Sequence, residues 1–143
     1  MTGGKRADVE GLDDGYFVEP TIFTDVTNDM TIAREEIFGP VTCVLPWKDE
    51  DQVIGLANDS DYGLGGGIFC GDIGRAHRMA RAMQTGTVWI NRFYNFQAGQ
   101  SLGGYKQSGF GREGCAETLL HYTQTKSVVV NLVDGPLGLY GAG

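Results

Sequence analysis

The sequence predicts an α/β fold built on a parallel sheet. Three apolar, strand-like runs (Val41–Trp47, Leu64–Cys70 and Thr87–Ile90) alternate with two segments of helical periodicity. Both helical segments open on an aspartate suited to capping, Asp49 and Asp72. The connections are short, and strand–helix–strand order with short links favours parallel, right-handed crossovers.

Residues 1–15 are glycine-rich and charged without periodicity, and read as a loop or a ragged entry. Tyr16–Val18 and Thr21–Thr24 are extended pieces broken by Pro20. Asp29–Arg34 has room for one helical turn, which Gly39-Pro40 ends. Val41–Trp47 is apolar and β-branched, as in a strand buried on both faces. Asp49 with Gln52 makes a capping-box pattern for a helix whose apolar side is Val53, Ile54, Leu56 and Ala57. Asn58–Gly63 is a turn, and Leu64–Cys70 is a strand softened by three glycines. The second helix places Ile73, Ala76, Met79, Ala80 and Met83 on one face and stops at Gly86. Thr87–Ile90 is the third strand. Asn91–Phe110 has no period, and a stretch this long without structure is usually functional. A short helix at Glu113–His121 and a β-branched strand at Lys126–Leu132 follow, then a glycine-rich tail, 133–143.

The chain has 143 residues, enough for one domain with a core. Its net charge of −7 argues against nucleic acid as a partner. No apolar run is long enough to cross a membrane, and Met1-Thr-Gly-Gly-Lys-Arg lacks the apolar stretch of a secretory leader. Cys43, Cys70 and Cys115 are an odd, widely spaced set, read as reduced thiols of a cytoplasmic protein. Cys115, beside Arg112 and a helix start, is the least inert of them. Asn58-Asp59-Ser60 fits a glycosylation sequon, to which a chain without a leader gives little weight. His77, Arg75, Arg78 and Arg81 read as a solvated helix face.

Three segments carry chemistry. Gly109-Phe110-Gly111-Arg112-Glu113-Gly114 matches the dinucleotide pattern GxGxxG, with Asp134 20 residues past Gly114. The preceding slot, Gly103–Ser108, cannot be the apolar strand that this motif requires. Glu35-Glu36-Ile37-Phe38 sets carboxylates beside an aromatic. A carboxylate can accept from two adjacent sugar hydroxyls, and an aromatic can pack on a flat heterocycle. Solvated glutamates and a core Phe38 fit the same residues. Asn91–Phe96 leaves the end of a strand, where α/β folds bind ligands. Its amide can donate to a ligand oxygen and its aromatics can wall a pocket, or the segment is a packed loop.

Five blocks in order resemble the aldehyde dehydrogenase superfamily: Gly15–Thr21, Arg34–Val41, Asn58–Leu64, Gly86–Asn91 and Gly103–Glu113. The resemblance runs over residues 3–132 and is to the C-terminal part of that family. It implies a three-layer catalytic domain around a parallel sheet. Residues 1–125 would be one half of that domain, 126–132 an oligomerisation strand and 133–143 a flexible tail. By resemblance, Glu36 holds the nicotinamide-ribose hydroxyls of NAD or NADP, and Phe38 lies against the nicotinamide. Asn91, Phe93 and Leu102 belong to the substrate pocket. Glu113 belongs to a proton relay with a distant lysine. Lys106 and Gly109 belong to a monovalent cation site. Lys126–Leu132 resembles the strand that crosses to a neighbouring subunit, which implies a homo-oligomer.

The chemistry implied is oxidation of an aldehyde to an acid by NAD(P)+, with betaine aldehyde or amino-aldehydes as the substrate class. The nucleophilic cysteine and the general-base glutamate would lie upstream of Met1. The chain alone is therefore expected to be inactive and to bind no cofactor. Ser101-Leu102 departs from the Pro-Phe often found there. Two other readings remain at this point: a non-enzymatic self-associating module, and a small dinucleotide-binding domain through Gly109–Gly114.

Overall fold

A computed structural model describes every residue except Asp13, Val133, Pro136, Leu137 and 139–143. The tail expected at 133–143 thus falls largely outside the described residues. Ten elements follow one another: β1 (Thr21–Phe23), α1 (Thr31–Arg34), β2 (Val41–Cys43), α2 (Glu50–Asn58), β3 (Tyr62–Gly63), β4 (Gly65–Ile68), α3 (Ile73–Ala82), β5 (Thr87–Ile90), β6 (Tyr105–Lys106) and α4 (Thr118–His121).

Both long helices start where the sequence puts them. Asp49 accepts a hydrogen bond from the Gln52 amide at 2.9 Å, and Gln52 Oε1 accepts from the Lys48 amide at 2.7 Å. This is a reciprocal cap shifted one residue outward, and the aspartate contributes about 1 kcal/mol to α2. Asp72 caps α3 by accepting from the Arg75 amide at 3.0 Å. The two helices are tied by Glu50, which pairs with Arg75 at 2.6 Å. The arginine face of α3 is thus partly engaged, while His77 is exposed as expected.

The sheet departs from the expectation of one three-layer parallel unit. The described strands form three separate two-stranded sheets. β4 and β5 pair in parallel across the α3 crossover, Gly65 opposite Thr87 and Ile68 opposite Ile90. β2 pairs in parallel with β1, Thr21 opposite Val41, and not with β4. β3 and β6 are antiparallel. Val41–Trp47 is therefore a three-residue strand, with Val44 and Trp47 exposed. A strand with one neighbour and no covering layer cannot be buried on both faces, and Pro46 offers no donor to continue the ladder.

Three more expectations change. Residues 1–15 are no ragged entry: Thr2 exchanges both backbone hydrogen bonds with Ile22 at 3.0 Å, and Ala7 donates to Phe17 O at 2.9 Å. Gly3, at φ +74°, permits this return, since a Cβ there would lie 2.2 Å from Pro20 O. The helix expected at Glu113–His121 is regular only from Thr118. Lys126–Leu132 forms no strand among the described residues, and Val128, Val129, Val130 and Leu132 are exposed.

The core is small. Among the described residues, Val26, Ile68 and Ala76 are the buried apolar side chains. No described helix is long and apolar enough to cross a membrane.

Candidate functional site

The returning loop Gly103–Arg112 is built from glycines because backbone lies against backbone there. A Cβ on Gly86 would sit 1.7 Å from Gly103 O, one on Gly103 would sit 2.1 Å from Gly111 O, and one on Gly104 would sit 2.4 Å from the Ser108 backbone. Ser108 Oγ accepts from the Gly63 amide at 2.9 Å. Arg112 Nη1 donates to Gly104 O and Gly111 O at 3.0 and 2.7 Å, and its guanidinium stacks on Tyr105. Leu102 and Glu113 exchange both backbone hydrogen bonds, at 2.9 and 2.8 Å.

This loop separates two clefts. One, of about 400 Å³, is lined by Glu35 and Glu36 with Tyr62, Leu64, Gln107 and Ser108. The other, of about 410 Å³, is lined among others by Leu102, Gly109, Glu113, His121 and Tyr122, and shares Leu64 and Ser108 with the first. Of the expected site residues, Glu36 lines the first cleft, and Leu102, Gly109 and Glu113 line the second. Glu36 forms no ion pair among the described residues, and Phe38, at φ +51°, is 93% exposed. Phe38 is not part of the core that the described residues form. Glu113 is also exposed.

Asn91 and Phe93 lie elsewhere, at the end of β5. Asn91 is left-handed at φ +54° and clamps the chain leaving β4. Its Oδ1 accepts from the Cys70 amide at 2.8 Å, and its Nδ2 donates to Cys70 O at 3.0 Å. The amide is committed to backbone, with one Nδ2 hydrogen remaining. Phe93 packs edge-on to Trp89, with centroids 5.1 Å apart, beside Tyr94 and Phe96.

Lys106 Nζ donates to Asn58 O at 2.7 Å and Ser60 O at 3.0 Å. The ammonium itself fills that carbonyl cradle, so the Lys106 side chain is committed to it. Gly109 is left-handed at φ +118°, and Gly109–Gly114 is loop and bridge, with no strand running into a helix. The GxGxxG match therefore lacks a dinucleotide-binding architecture. The Asn58 amide of the sequon is spent on Ala82 O and the Gln84 amide, both at 2.8 Å. Cys43 Sγ donates to Ile32 O at 3.6 Å. Partial burial raises the Cys115 thiol, but hydrogen bonds from Ser101, Glu117 and Thr118 outweigh it and hold it below its ordinary value.

One device was not foreseen. Arg34, two residues before Glu36, grips Asp59 with Nη1 and Nη2 at 2.9–3.1 Å, and Asn28 reaches Asp59 and Leu56 O. Charge contacts 25 residues apart leave no periodic trace in a sequence. The Arg34 hydrogen bond first, and Asn28 second, hold the Asp59 carboxyl below its ordinary 3.8. A depressed carboxyl stabilises the fold above the ordinary value, and that stabilisation is lost as pH falls through the folded value. Carboxyl-carbon NMR should give Asp59 a midpoint below 3.8 that moves up on Arg34→Met.

The family model described as "Aldehyde dehydrogenase family" matches residues 1–128, and the chain belongs to that family. Among its relatives is a betaine aldehyde dehydrogenase of Brucella anthropi, 54% identical over 136 residues. That match covers 94% of this chain and 28% of the relative, so the chain spans about 28% of the length of the curated relatives it resembles. A betaine aldehyde dehydrogenase from Staphylococcus aureus in complex with NAD+ superposes with a TM-score of 0.90 at 45% identity, over 98% of this chain and 28% of that one. A Mycobacterium tuberculosis aldehyde dehydrogenase complexed with NAD+ superposes at 0.82 and 48% identity, over 90% and 26%.

Proposed function

We propose that this chain supplies part of the cofactor and substrate walls of an NAD(P)-dependent aldehyde dehydrogenase, and acts only together with the rest of that fold. The carrying observation is the exposed, unpaired Glu36 carboxylate lining the cleft of about 400 Å³ beside Tyr62, Gln107 and Ser108. A carboxylate so placed can accept from two vicinal ribose hydroxyls. The bare Phe38 ring, two residues on, suits a flat heterocycle. These residues fit a nicotinamide dinucleotide, and bound NAD+ supplies the acceptor for the hydride that the aldehyde carbon loses.

The chain's own residues bind and orient. Glu36 fixes the ribose and Phe38 limits the tilt of the ring. Asn91, through its remaining amide hydrogen, and Phe93 face the aldehyde side at the end of β5, and Leu102 borders the cleft of Glu113. Glu113, on the cleft it shares with His121, takes part in the proton relay with a distant lysine that the family resemblance implies. The Lys106 and Gly109 backbone serves a monovalent cation. Lys126–Leu132 pairs with a neighbouring subunit, which would cover its exposed valines. Relatives named for betaine aldehyde favour a small cationic aldehyde as the substrate.

The test is a graft, in which this chain replaces the matching segment of the Staphylococcus aureus relative. The graft should reduce NAD+ with betaine aldehyde, whereas the chain by itself should give no reduced nicotinamide. A folded graft without turnover would remove the proposal.

A further inference from the structure

We infer that Asp59, which lines neither cleft, is a positioning residue for the cofactor: its grip on Arg34 sets Glu36 against the facing wall of Tyr62, Gln107 and Ser108. That role rests on Glu36 binding the ribose, as proposed above, and names the residue that places it.

The C-terminal end of α2 gathers the cleft. A helix leaves its last carbonyls without intrahelical partners, and its dipole puts partial negative charge there. α2 has no basic residue in its own last turn, and the residue that ends it, Asp59, is acidic. The cations come from elsewhere in the chain. Arg34 Nη1 donates to Asp59 O at 2.9 Å and to Oδ1 at 3.1 Å, while Nη2 donates to Oδ2 at 2.9 Å. Lys106 Nζ donates to Asn58 O and Ser60 O. Asn28 Nδ2 takes Leu56 O at 2.9 Å. The Arg34 hydrogen bond first, then Asn28 and the charge of Lys106, hold the Asp59 carboxyl below its ordinary value, so it is ionised at neutral pH.

The segments that bring these cations also carry the walls of the cleft. Glu36 follows Arg34 by two residues, Gln107 and Ser108 follow Lys106, and Tyr62 leaves the same helix end. The wall of Gln107 and Ser108 is held several times over. The Gln107 amide donates to Asp61 O at 2.9 Å, and Ser108 Oγ accepts from the Gly63 amide at 2.9 Å. Glu36 has fewer ties. α1 ends at Arg34, and Glu35 is already extended at φ −93°, ψ 141°. The next fixed point is Pro40 O, which accepts from the Thr21 amide at 2.8 Å. Among the described residues, the grip of Arg34 on Asp59 is the long-range tie closest to Glu36 in the chain. A planar fork that meets three oxygens of one residue fixes direction as well as distance.

The test is made in the graft. Asp59→Ala and Arg34→Met should each raise the KM for NAD+ about three- to tenfold and leave the KM for betaine aldehyde within about twofold. The dissociation constant for NAD+, read by quenching of intrinsic fluorescence, should rise in parallel, and it carries the comparison if the graft binds without turnover. The sign at Asp59 is decisive. If Arg34 served the cofactor only as a nearby positive charge, removing Asp59 would tighten the binding of the anionic dinucleotide. Added to Glu36→Gln, Asp59→Ala should change NAD+ binding by less than about twofold, since residues that act through one group are not additive. Tighter binding, an equal rise in both KM values, no rise, or the full rise on top of Glu36→Gln overturns the inference. Where a urea midpoint shows that a variant has not folded, Arg34→Lys, which keeps the charge but not the fork, carries the same comparison. Glu36→Gln without effect on NAD+ removes the ribose role, and this inference with it. Glu36→Gln with its effect, beside an Asp59→Ala without one, removes this inference alone.

Discussion

Replacing Gly86 with alanine is expected to destabilise the fold by about 3–5 kcal/mol. The added Cβ would fall 1.7 Å from Gly103 O and 2.8 Å from the Gly103 carbonyl carbon. Both atoms are backbone, so no side chain can rotate away. Relief requires the Gly103–Arg112 loop to move, and with it Leu102, Lys106, Gly109 and Glu113. In the graft, the urea midpoint should fall and turnover should be lost together. Gly55→Ala is the matched control. Gly55 lies in α2, and no atom stands within 4 Å of where an alanine methyl would project. Alanine there should stabilise the helix by about 0.5–1 kcal/mol. Equal, small effects at both positions would mean that the loop does not pack against Gly86.

The Glu36→Gln variant of the graft should raise the KM for NAD+ about 10- to 100-fold, the worth of a charge-assisted hydrogen bond of about 1.5–3 kcal/mol. The companion Glu35→Gln should change it by less than about twofold, because a solvated carboxylate is nearly neutral to neutralisation. Both side chains line the same cleft and both are exposed, so local stability does not distinguish them. Equal responses would return Glu36 to the status of a surface charge.

Local patterns were legible in the sequence. α2 and α3 begin on Asp49 and Asp72, and β5 spans Thr87–Ile90, as periodicity and capping chemistry require. The parallel β4–β5 pair across α3 follows from the strand–helix–strand order. What was not legible was the number of neighbours each strand finds. Val41–Trp47 looks like a strand buried on both faces, but burial needs neighbours, and β2 has only β1. Lys126–Leu132 pairs with no strand among the described residues of the single chain, and the neighbouring subunit expected to receive it lies outside that chain. Propensity on its own cannot form a ladder.

The candidate site divides in the same way. The placing of Glu36 at one cleft, and of Leu102, Gly109 and Glu113 at its neighbour, accords with the motif blocks that the sequence carries. The commitments of Asn91 to Cys70 and of Lys106 to Asn58 and Ser60 do not, because they join residues 21 to 48 positions apart. Lys106 shows the consequence. Its charge looks available in the sequence, and the fold spends it on two carbonyls.

This chain is proposed to be a working part of an aldehyde-oxidising site that the rest of its family's fold completes. The most direct measurement is the rate at which the graft reduces NAD+ with betaine aldehyde, compared with the intact Staphylococcus aureus relative. Turnover within about tenfold of that relative is expected, since the fold superposes over 98% of this chain at a TM-score of 0.90. A graft that folds and binds NAD+ but oxidises no aldehyde would contradict it.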